Sequence, residues 1–221
     1  PVENSDFVFM EEESPEQIVQ KVLHLIKTHI PNHFPFNPID DVQVLAPMKR
    51  GIVGTDNLNH VLQKHLNPQS KRLMRMGREF NLYDKVMQIR NNYDKKVYNG
   101  DVGRIAEIDF ETQVLQIDFD GQLVPYEFSE TDEIMLAYAV SIHKYQGSEC
   151  PCVVIPIHTS HFKLLFRNLL YTGITRGKKL VVLVGTKKAL AIAVKTDNVK
   201  KRFSGLQSIL ENTLLPAKSS T

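Results

Sequence analysis

The chain has 221 residues and a formal net charge of +2, with 42% hydrophobic and 24% charged residues. This composition predicts a globular protein with one sizeable core, or one core plus a small inserted domain, and excludes disordered and collagen-like chains. No apolar run approaches the length of a membrane span, no signal peptide is visible, and two cysteines favour a reducing, cytoplasmic setting. Because the sequence opens with Pro1 instead of Met, we expect a piece of a longer protein.

Charge is distributed unevenly along the chain. Residues 1–140 carry 14 Lys/Arg and 22 Asp/Glu, whereas residues 141–221 carry 13 and 3. Residues 105–133 contain nine acids and no Lys or Arg. The basic carboxyl-terminal third suits a polyanion such as nucleic acid or nucleotide phosphates, although an ordinary solvated surface would give the same count.

The first elements are predicted from capping and periodicity. Residues 1–13, rich in acids, are predicted to be a linker. Ser14 begins a helix as its N-cap, and apolar residues recur at helical spacing until Pro31, which is predicted to end it. A short apolar strand over residues 42–46 and a helix over residues 55–66 follow.

The later pattern changes twice. Alternation and turn signals such as Asn99-Gly100 and Asp120-Gly121 predict a run of antiparallel strands the size of a small β-barrel. Apolar strands then alternate with helices, which indicates a parallel α/β sheet; the strands are expected at 134–142, 152–157 and 180–184, and the helices at 164–170 and 187–194. The predicted organisation is an α/β domain over 14–76 and 134–215, an inserted barrel over 77–133, and a tail over 216–221.

Three loops at the ends of these elements carry Arg, Lys, hydroxyl, Gln and Glu side chains; they are Ala46–Gly51, Ser141–Glu149 and Leu170–Lys179. This mixture suits phosphate recognition, because guanidinium groups pair phosphate oxygens bidentately. Any one loop alone would be explained equally well by ordinary turn chemistry. Residues 173–179 imitate a Walker A loop, but the spacing between the glycines and the residue after the Lys are wrong.

Four segments in order resemble the RecD-like branch of the superfamily 1 DNA helicases. They match motif IV, the start of the barrel insertion, motif V and motif VI, and are Val44–Pro68, Asn91–Gly103, Tyr138–Pro156 and Arg167–Gly185. The resemblance implies a second RecA-like motor domain with a small barrel of the Src-homology-3 type inserted in it. The intact protein would then be an ATP-dependent DNA helicase of recombination or repair with 5′-to-3′ polarity.

The same resemblance implies partners and cofactors. ATP and Mg²⁺ would be bound mainly by an N-terminal RecA-like domain that this sequence lacks. Single-stranded DNA would be the substrate, other recombination or repair subunits are expected partners, and no membrane is involved. Without the Walker motifs, this chain alone is predicted to be inactive as an ATPase.

Site residues follow from the matched motifs. The resemblance assigns the arginine residues that meet the γ-phosphate, Arg50 and Arg176, and we expect their loops to converge at one edge of the sheet. It assigns the nucleotide-facing end of motif V to Gln146, Gly147 and Glu149. The predicted DNA-binding residues are Ser141, His143, Lys144, Tyr93 and Asn99. The family usually has Ser at Tyr145 and an aromatic residue at Cys150, which leaves the role of Tyr145 open.

Two alternative interpretations compete with this one. Zinc would need ligands such as Cys150, Cys152, His158 and His161, but their spacing is unusual, and we predict no metal site. A non-enzymatic nucleic-acid adaptor could instead be built on the barrel. There, Tyr83 and Tyr93 lie among basic residues and could stack on bases or fill the barrel core.

Overall fold

A computed structural model describes residues 6–197 of the chain. Within that range the strands are β1 (Phe7–Glu11), β2 (Val42–Ala46), β3 (Arg72–Arg75), β4 (Arg78–Asn81), β5 (Lys85–Gln88), β6 (Val102–Asp109), β7 (Val114–Phe119), β8 (Gln122–Glu127), β9 (Ile134–Leu136), β10 (Ala139–Ser141), β11 (Cys150–Ile157) and β12 (Gly177–Gly185). The helices are α1 (Pro15–His24), α2 (Ile30–His33), α3 (Thr55–Leu66), α4 (Arg167–Ile174) and α5 (Lys187–Lys195). A π-helical turn, Leu25–His29, joins α1 to α2, and 3₁₀ helices cover Phe128–Glu133, Ile142–Tyr145 and Thr159–Leu164.

A parallel five-stranded sheet in the order β1-β12-β11-β2-β10 forms the larger unit. Its strands are apolar on both faces, because α1 and α3 cover one face and α4 and α5 cover the other. The predicted α/β fold is therefore confirmed. None of the helices in this part of the chain is long and apolar enough to cross a bilayer.

The predicted linker over residues 1–13 contains strand β1, so that prediction is wrong for residues 7–11. Phe7 pairs with Val181, and Glu11 with Gly185, at the edge of the parallel sheet. Val8 and Met10 pack against one core while Phe9 packs against the other. The acids that flank this short apolar segment concealed its strand character.

The first helical region continues past Pro31, contrary to the prediction. Ser14 caps α1 as predicted, its Oγ accepting a hydrogen bond from the Gln17 amide at 3.4 Å. The π-helical turn then changes the hydrogen-bonding register, and Pro31 falls in the first turn of α2. A proline is tolerated there because its missing N–H is not needed. The helical run ends at His33.

The smaller unit is an antiparallel sheet in the order β8-β7-β6-β5-β9, with the β3–β4 hairpin beside it. Its core includes Phe80, Ile105 and Tyr126, all fully buried. Asp120 and Gly121 have φ values of 50° and 89° and join β7 to β8, which confirms the turn signal.

The predicted strand over 134–142 is two strands in different sheets. β9 pairs with β5 in the barrel, and β10 pairs with β2 in the parallel sheet. The barrel strands thus extend from Arg72 to Leu136, beyond the predicted 77–133. The helix expected at 164–170 lies at Arg167–Ile174. The predicted tail over 216–221, and residues 198–215 of the α/β domain, lie outside the described range.

Buried polar groups at the start of β5 join the two units. The Asp84 carboxylate accepts hydrogen bonds from Gln63 of α3 at 2.6 Å and from the Tyr138 hydroxyl, just before β10, at 2.9 Å. Lys85 Nζ donates to the carbonyls of Ile39 at 2.8 Å and Val42 at 3.4 Å. The barrel is therefore fixed to the amino-terminal end of β2 and to α3.

Candidate nucleotide and nucleic-acid site

The carboxyl edge of the parallel sheet carries two predicted site loops. Ala46 and Ser141 are register partners at the ends of β2 and β10. The loop after β2 folds tightly over the start of α3, because the Thr55 amide donates to the Met48 carbonyl at 3.1 Å. A Cβ at Gly54 would lie 2.5 Å from the Arg50 carbonyl oxygen, so only glycine fits there. This folding leaves Arg50 exposed at the carboxyl edge.

Motif V presents its polar side chains from a short 3₁₀ helix. The Ser141 Oγ caps this helix by accepting from the Lys144 amide at 3.4 Å. His143 and Lys144 are exposed, whereas Tyr145 is buried. The structure thus brings three predicted DNA-binding residues, Ser141, His143 and Lys144, into one turn. Tyr145 packs inward, where burial raises the pKa of its hydroxyl, and it does not face solvent.

Arg176 lies at the opposite, amino edge of the sheet, where three acceptors hold its guanidinium. Nε donates to the Thr172 carbonyl at 3.2 Å, Nη1 to the Ser148 carbonyl at 3.3 Å, and Nη2 to Thr175 Oγ1 at 3.1 Å. The first of these bonds caps the carboxyl end of α4, and the second reaches into motif V. Because a guanidinium has five N–H donors, two remain for another ligand.

The predicted nucleotide-facing residues gather around Arg176. Gln146, Gly147 and Glu149 are exposed in the turn that precedes β11, and Gly147 has a φ of 91°, which favours glycine. Glu149 pairs with Lys178 at 3.1 Å. The sequence interpretation did not single out Lys178, although it lies two residues after Arg176. The cluster therefore combines cationic donors, a carboxylate and an exposed glycine backbone.

The structure does not bring Arg50 to Arg176, so the expected convergence of their loops is wrong. Arg176 precedes β12, whose Gly177 pairs with Cys150 at the start of β11. Arg50 follows β2, at the other end of the strands. Five residues of β2 at about 3.3 Å each separate the two edges by about 17 Å. A loop that follows a parallel strand and a loop that precedes one lie at opposite edges.

One segment joins the two edges. Residues 141–149 begin at the carboxyl edge with Ser141 and end at the amino edge beside Cys150. Between them, Ile142 and Tyr145 pack into the core on one face of the sheet. The two ends of this segment, one with the exposed His143 and the other with the half-buried Ser148, are therefore joined by a segment that packs into the core.

The barrel contributes an exposed aromatic loop. Tyr93 is 73% exposed and meets Tyr98 edge-on at 6.1 Å between ring centroids. The Asn99 amide donates to Asn91 Oδ1 at 3.0 Å, which places Asn99 in the same loop. Tyr83 is 49% exposed, so the interpretation of Tyr83 and Tyr93 as barrel core is wrong.

The cysteines and histidines of the zinc alternative lie far apart. Cys150 and Cys152 open β11, while His158 and His161 lie beyond its last residue, about 25 Å away along eight strand residues. Burial raises the pKa of both thiols and lowers the pKa of His161 to about 4. Within residues 6–197, no group of three His, Cys, Asp or Glu side chains is arranged to hold a metal ion.

Comparisons with known proteins agree with this geometry. Residues 58–119 match the family model of the ATP-dependent RecD-like DNA helicase SH3 domain, and residues 136–184 match the UvrD-like helicase C-terminal domain. The ATP-dependent RecD2 DNA helicase of Deinococcus radiodurans is 34% identical over 168 residues, covering 76% of this chain and 23% of that protein. The RecBCD enzyme subunit RecD of Mycolicibacterium smegmatis is 28% identical over 177 residues, covering 78% of this chain and 30% of that protein.

Solved structures support the fold. The crystal structure of Pif1 helicase from Bacteroides in complex with ADP-AlF3 and ssDNA matches with a TM-score of 0.53 and 13% identity, covering 90% of this chain and 50% of that chain. At this identity the likeness concerns the fold alone. The chain itself spans 23% and 30% of the two curated relatives, so their complete activities involve residues outside it.

Proposed function

This chain belongs to the RecD-like superfamily 1 helicases, and from that premise we propose that it supplies the second motor domain of an ATP-dependent DNA helicase. The complete protein would act on single-stranded DNA in recombination or repair, in the cytoplasm, with 5′-to-3′ polarity. Its partners would be an N-terminal RecA-like domain of the same protein and, in an assembly, further repair subunits.

The observation that carries this proposal is the segment 141–149, which spans the sheet from edge to edge. A helicase motor must couple the binding and hydrolysis of ATP to changes in its affinity for the DNA strand. Here Arg176 holds the Ser148 carbonyl at one end of the segment, and His143 is exposed at the other. Ile142 and Tyr145, which pack into the core between these ends, would carry a displacement at Ser148 toward His143.

The amino edge fits a nucleotide phosphate. ATP, when bound, supplies a transferable phosphoryl group, and its Mg²⁺ would be held mainly by the other motor domain. Arg176 has free N–H donors for a phosphate oxygen, and Gln146, Gly147 and Glu149 border the same space. Arg176 would stabilise the charge that develops on the phosphoryl oxygens during transfer.

The carboxyl edge of the sheet and the barrel loop that carries Tyr93 fit a single strand of DNA. Ser141, His143 and Lys144 would contact its phosphates. Because Arg50 lies at the same edge, we assign it to these phosphates instead of the γ-phosphate that the sequence resemblance implied. Tyr93 and Asn99 would contact bases from the barrel, where an exposed aromatic ring suits stacking.

The second candidate, a non-enzymatic adaptor, is favoured by the exposed pair Tyr93 and Tyr98. It gives no role to the donors that Arg176 keeps free at the amino edge. The two functions are separated by strand displacement with the complete protein on duplexes carrying a 5′ tail or a 3′ tail. We expect ATP-dependent displacement of the 5′-tailed duplex. Tight strand binding without ATP turnover would favour the adaptor.

A further inference from the structure

The β3–β4 hairpin presents two exposed methionines at its tip. Met74 is 60% exposed and Met76 is 67% exposed. The base of the hairpin is fixed, since Leu73 and Phe80 are cross-strand partners buried in the barrel core. The turn has φ values of 49° at Met76 and 71° at Gly77, the left-handed pair typical of a tight two-residue connection. The apolar tip is therefore held in a defined position in solvent.

Arginines surround this tip. Arg72, Arg75 and Arg78 lie on the two strands, and Arg75 and Arg78 are direct cross-strand partners. Like charges in that relation destabilise a hairpin, and folding accounts for Arg78, which lies 5.8 Å over the Phe80 ring, but not for Arg75. Arg72 pairs with Glu79 at 3.6 Å, and Arg78 donates to the Ile134 carbonyl at 2.8 Å. Among the described residues, Arg75 is exposed and no carboxylate forms an ion pair with it.

We propose that this hairpin, Arg72–Asn81, is a nucleic-acid contact in which Arg75 binds a phosphate and Met74 and Met76 cover an exposed base face. Charge complementarity favours a polyanion, because the tip has an unpaired arginine and its one acid is already paired. Apolar side chains gain most by contacting nucleic acid where a base face is exposed.

Two forms of DNA present an exposed base face beside phosphates: a single strand, and the end of a duplex next to a single-stranded tail. The proposal rests on the proposed function for its choice of DNA, but it concerns a surface of the barrel other than the Tyr93 loop and the motif V turn. It adds a contact that neither motif V nor the aromatic loop supplies.

The test uses the 221-residue chain and two sets of variants. Met74→Thr with Met76→Asn removes the apolar tip while keeping the turn, because threonine suits a strand and asparagine tolerates positive φ. Arg75→Ala removes the free cation. The matched controls are Leu123→Thr, whose side chain is 61% exposed on the acidic part of the barrel, and Lys27→Ala on the exposed face of the first helical run. Melting curves verify that each variant is folded.

Fluorescence anisotropy measures affinity for labelled oligothymidine, a duplex with a single-stranded tail, and a closed dumbbell duplex without ends. We expect the methionine double variant to weaken binding about fivefold on at least one of the first two probes, as loss of an apolar contact equivalent to about one buried methylene group predicts. Arg75→Ala should lower the slope of log affinity against log salt by about 1. Both controls should bind as the wild type does.

The pattern across probes identifies the source of the base. Weakening on oligothymidine supports a single strand, and weakening confined to the tailed duplex supports the duplex end. Unchanged affinity on both probes overturns the proposal, and so does equal weakening on the dumbbell, since base faces would then be irrelevant. Unchanged DNA affinity with altered sedimentation would indicate a protein contact and also overturn it.

A Lys144→Glu variant keeps this test distinct from that of the proposed function. If Lys144→Glu weakens binding and the hairpin variants do not, the assignment of the motif V turn to DNA stands and the hairpin contact falls. If the hairpin variants weaken binding and Lys144→Glu does not, the hairpin contact stands and the assignment of the motif V turn falls.

Discussion

The two edges of the parallel sheet differ in how they hold their charged groups. At the amino edge, three hydrogen bonds fix the guanidinium of Arg176, and Lys178 pairs with Glu149. At the carboxyl edge, Arg50, His143 and Lys144 are exposed side chains. Phosphoryl transfer requires donors that are positioned before the reaction, whereas a moving strand requires charges that bind and release phosphates readily. The difference in rigidity matches the difference in proposed roles.

The first prediction, with the largest expected effect, tests the difference between the two sheet edges by removing the Arg176 side chain. In the complete protein, we expect Arg176→Ala to lower ATP turnover about 10³- to 10⁵-fold, the range known for an arginine that stabilises a phosphoryl group in transfer. Single-strand affinity without nucleotide should be nearly unchanged, because Arg176 lies at the other edge. Phosphate release and anisotropy on one preparation measure both quantities.

Arg50→Ala is the matched control, because it removes the same side chain at the opposite edge. It should weaken strand binding and leave most of the turnover at saturating DNA. Arg176 also caps α4, so its replacement can lower the melting temperature. A lower melting temperature with turnover retained by the folded protein would make Arg176 structural. Equal loss of turnover in both variants would remove the distinction between the edges.

The second prediction concerns the anchor between the barrel and the sheet. Asp84 accepts from Gln63 at 2.6 Å, Asn67 at 2.8 Å, Tyr138 at 2.9 Å and the Asn81 amide at 2.6 Å. Asp84→Ala leaves these buried donors without their acceptor and should lower the free energy of unfolding by about 3 kcal/mol. Urea denaturation measures the loss, and Asp94→Ala, at an exposed position, should change it little. An Asp84→Ala loss as small as that of the control would contradict the anchor.

Sequence patterns predicted elements whose ends carry local signals. The bounds of β2 and α3 agree with the structure, because Pro47 follows the strand and Asn67-Pro68 follows the helix. Sequence patterns failed where pairing between strands distant in sequence determines which sheet a segment joins. Flanking acids concealed β1, and the apolar run 134–142 gave no sign of passing from one sheet to the other, since both parts are half-buried or buried.

The local grouping of the candidate site residues was predicted from the sequence, whereas the spatial arrangement of their loops was not. Motif V residues share one turn as expected, and Arg176 meets the end of motif V. The convergence of Arg50 with Arg176 failed because the rule that ligands bind beyond the carboxyl ends of strands does not apply to a loop that precedes a strand. The contact of Lys178 with Glu149 joins two motifs about thirty residues apart, and spacing alone does not reveal such a pair.

The third prediction concerns the exposed charges at the carboxyl edge. Lys144→Glu replaces a cation by an anion in the motif V turn and should weaken oligothymidine binding about tenfold at low salt, with less effect at high salt. Lys27→Glu makes the same change in total charge on the first helical run and should have a clearly smaller effect. Anisotropy titrations at two salt concentrations compare them. Equal effects would mean that binding follows net charge and not this edge.

The smallest expected effect is a dependence of stability on pH that arises at the amino end of β2, where the barrel meets the sheet. Lys85 donates to the Val42 carbonyl there, and burial is the main cause that lowers its pKa from 10.5 to about 8. Between these values the unfolded chain binds more protons than the folded protein at this residue, so the contribution of Lys85 to stability rises with pH, by up to about 1.4 kcal/mol per unit. Buried tyrosines with raised pKa values oppose this trend at high pH, and they are common to all variants. Burial also raises the pKa of Cys150 while Lys85 lowers it, so every protein compared, including the one with wild-type Lys85, carries Cys150→Ala. The measured quantity is therefore the difference in unfolding free energy between wild type and Lys85→Met at pH 7.5, 8.5 and 9.5. It should grow in favour of the wild type, while the difference for the exposed Lys27→Met stays flat. A flat difference for Lys85 as well would mean that water or an anion keeps this lysine charged at the junction.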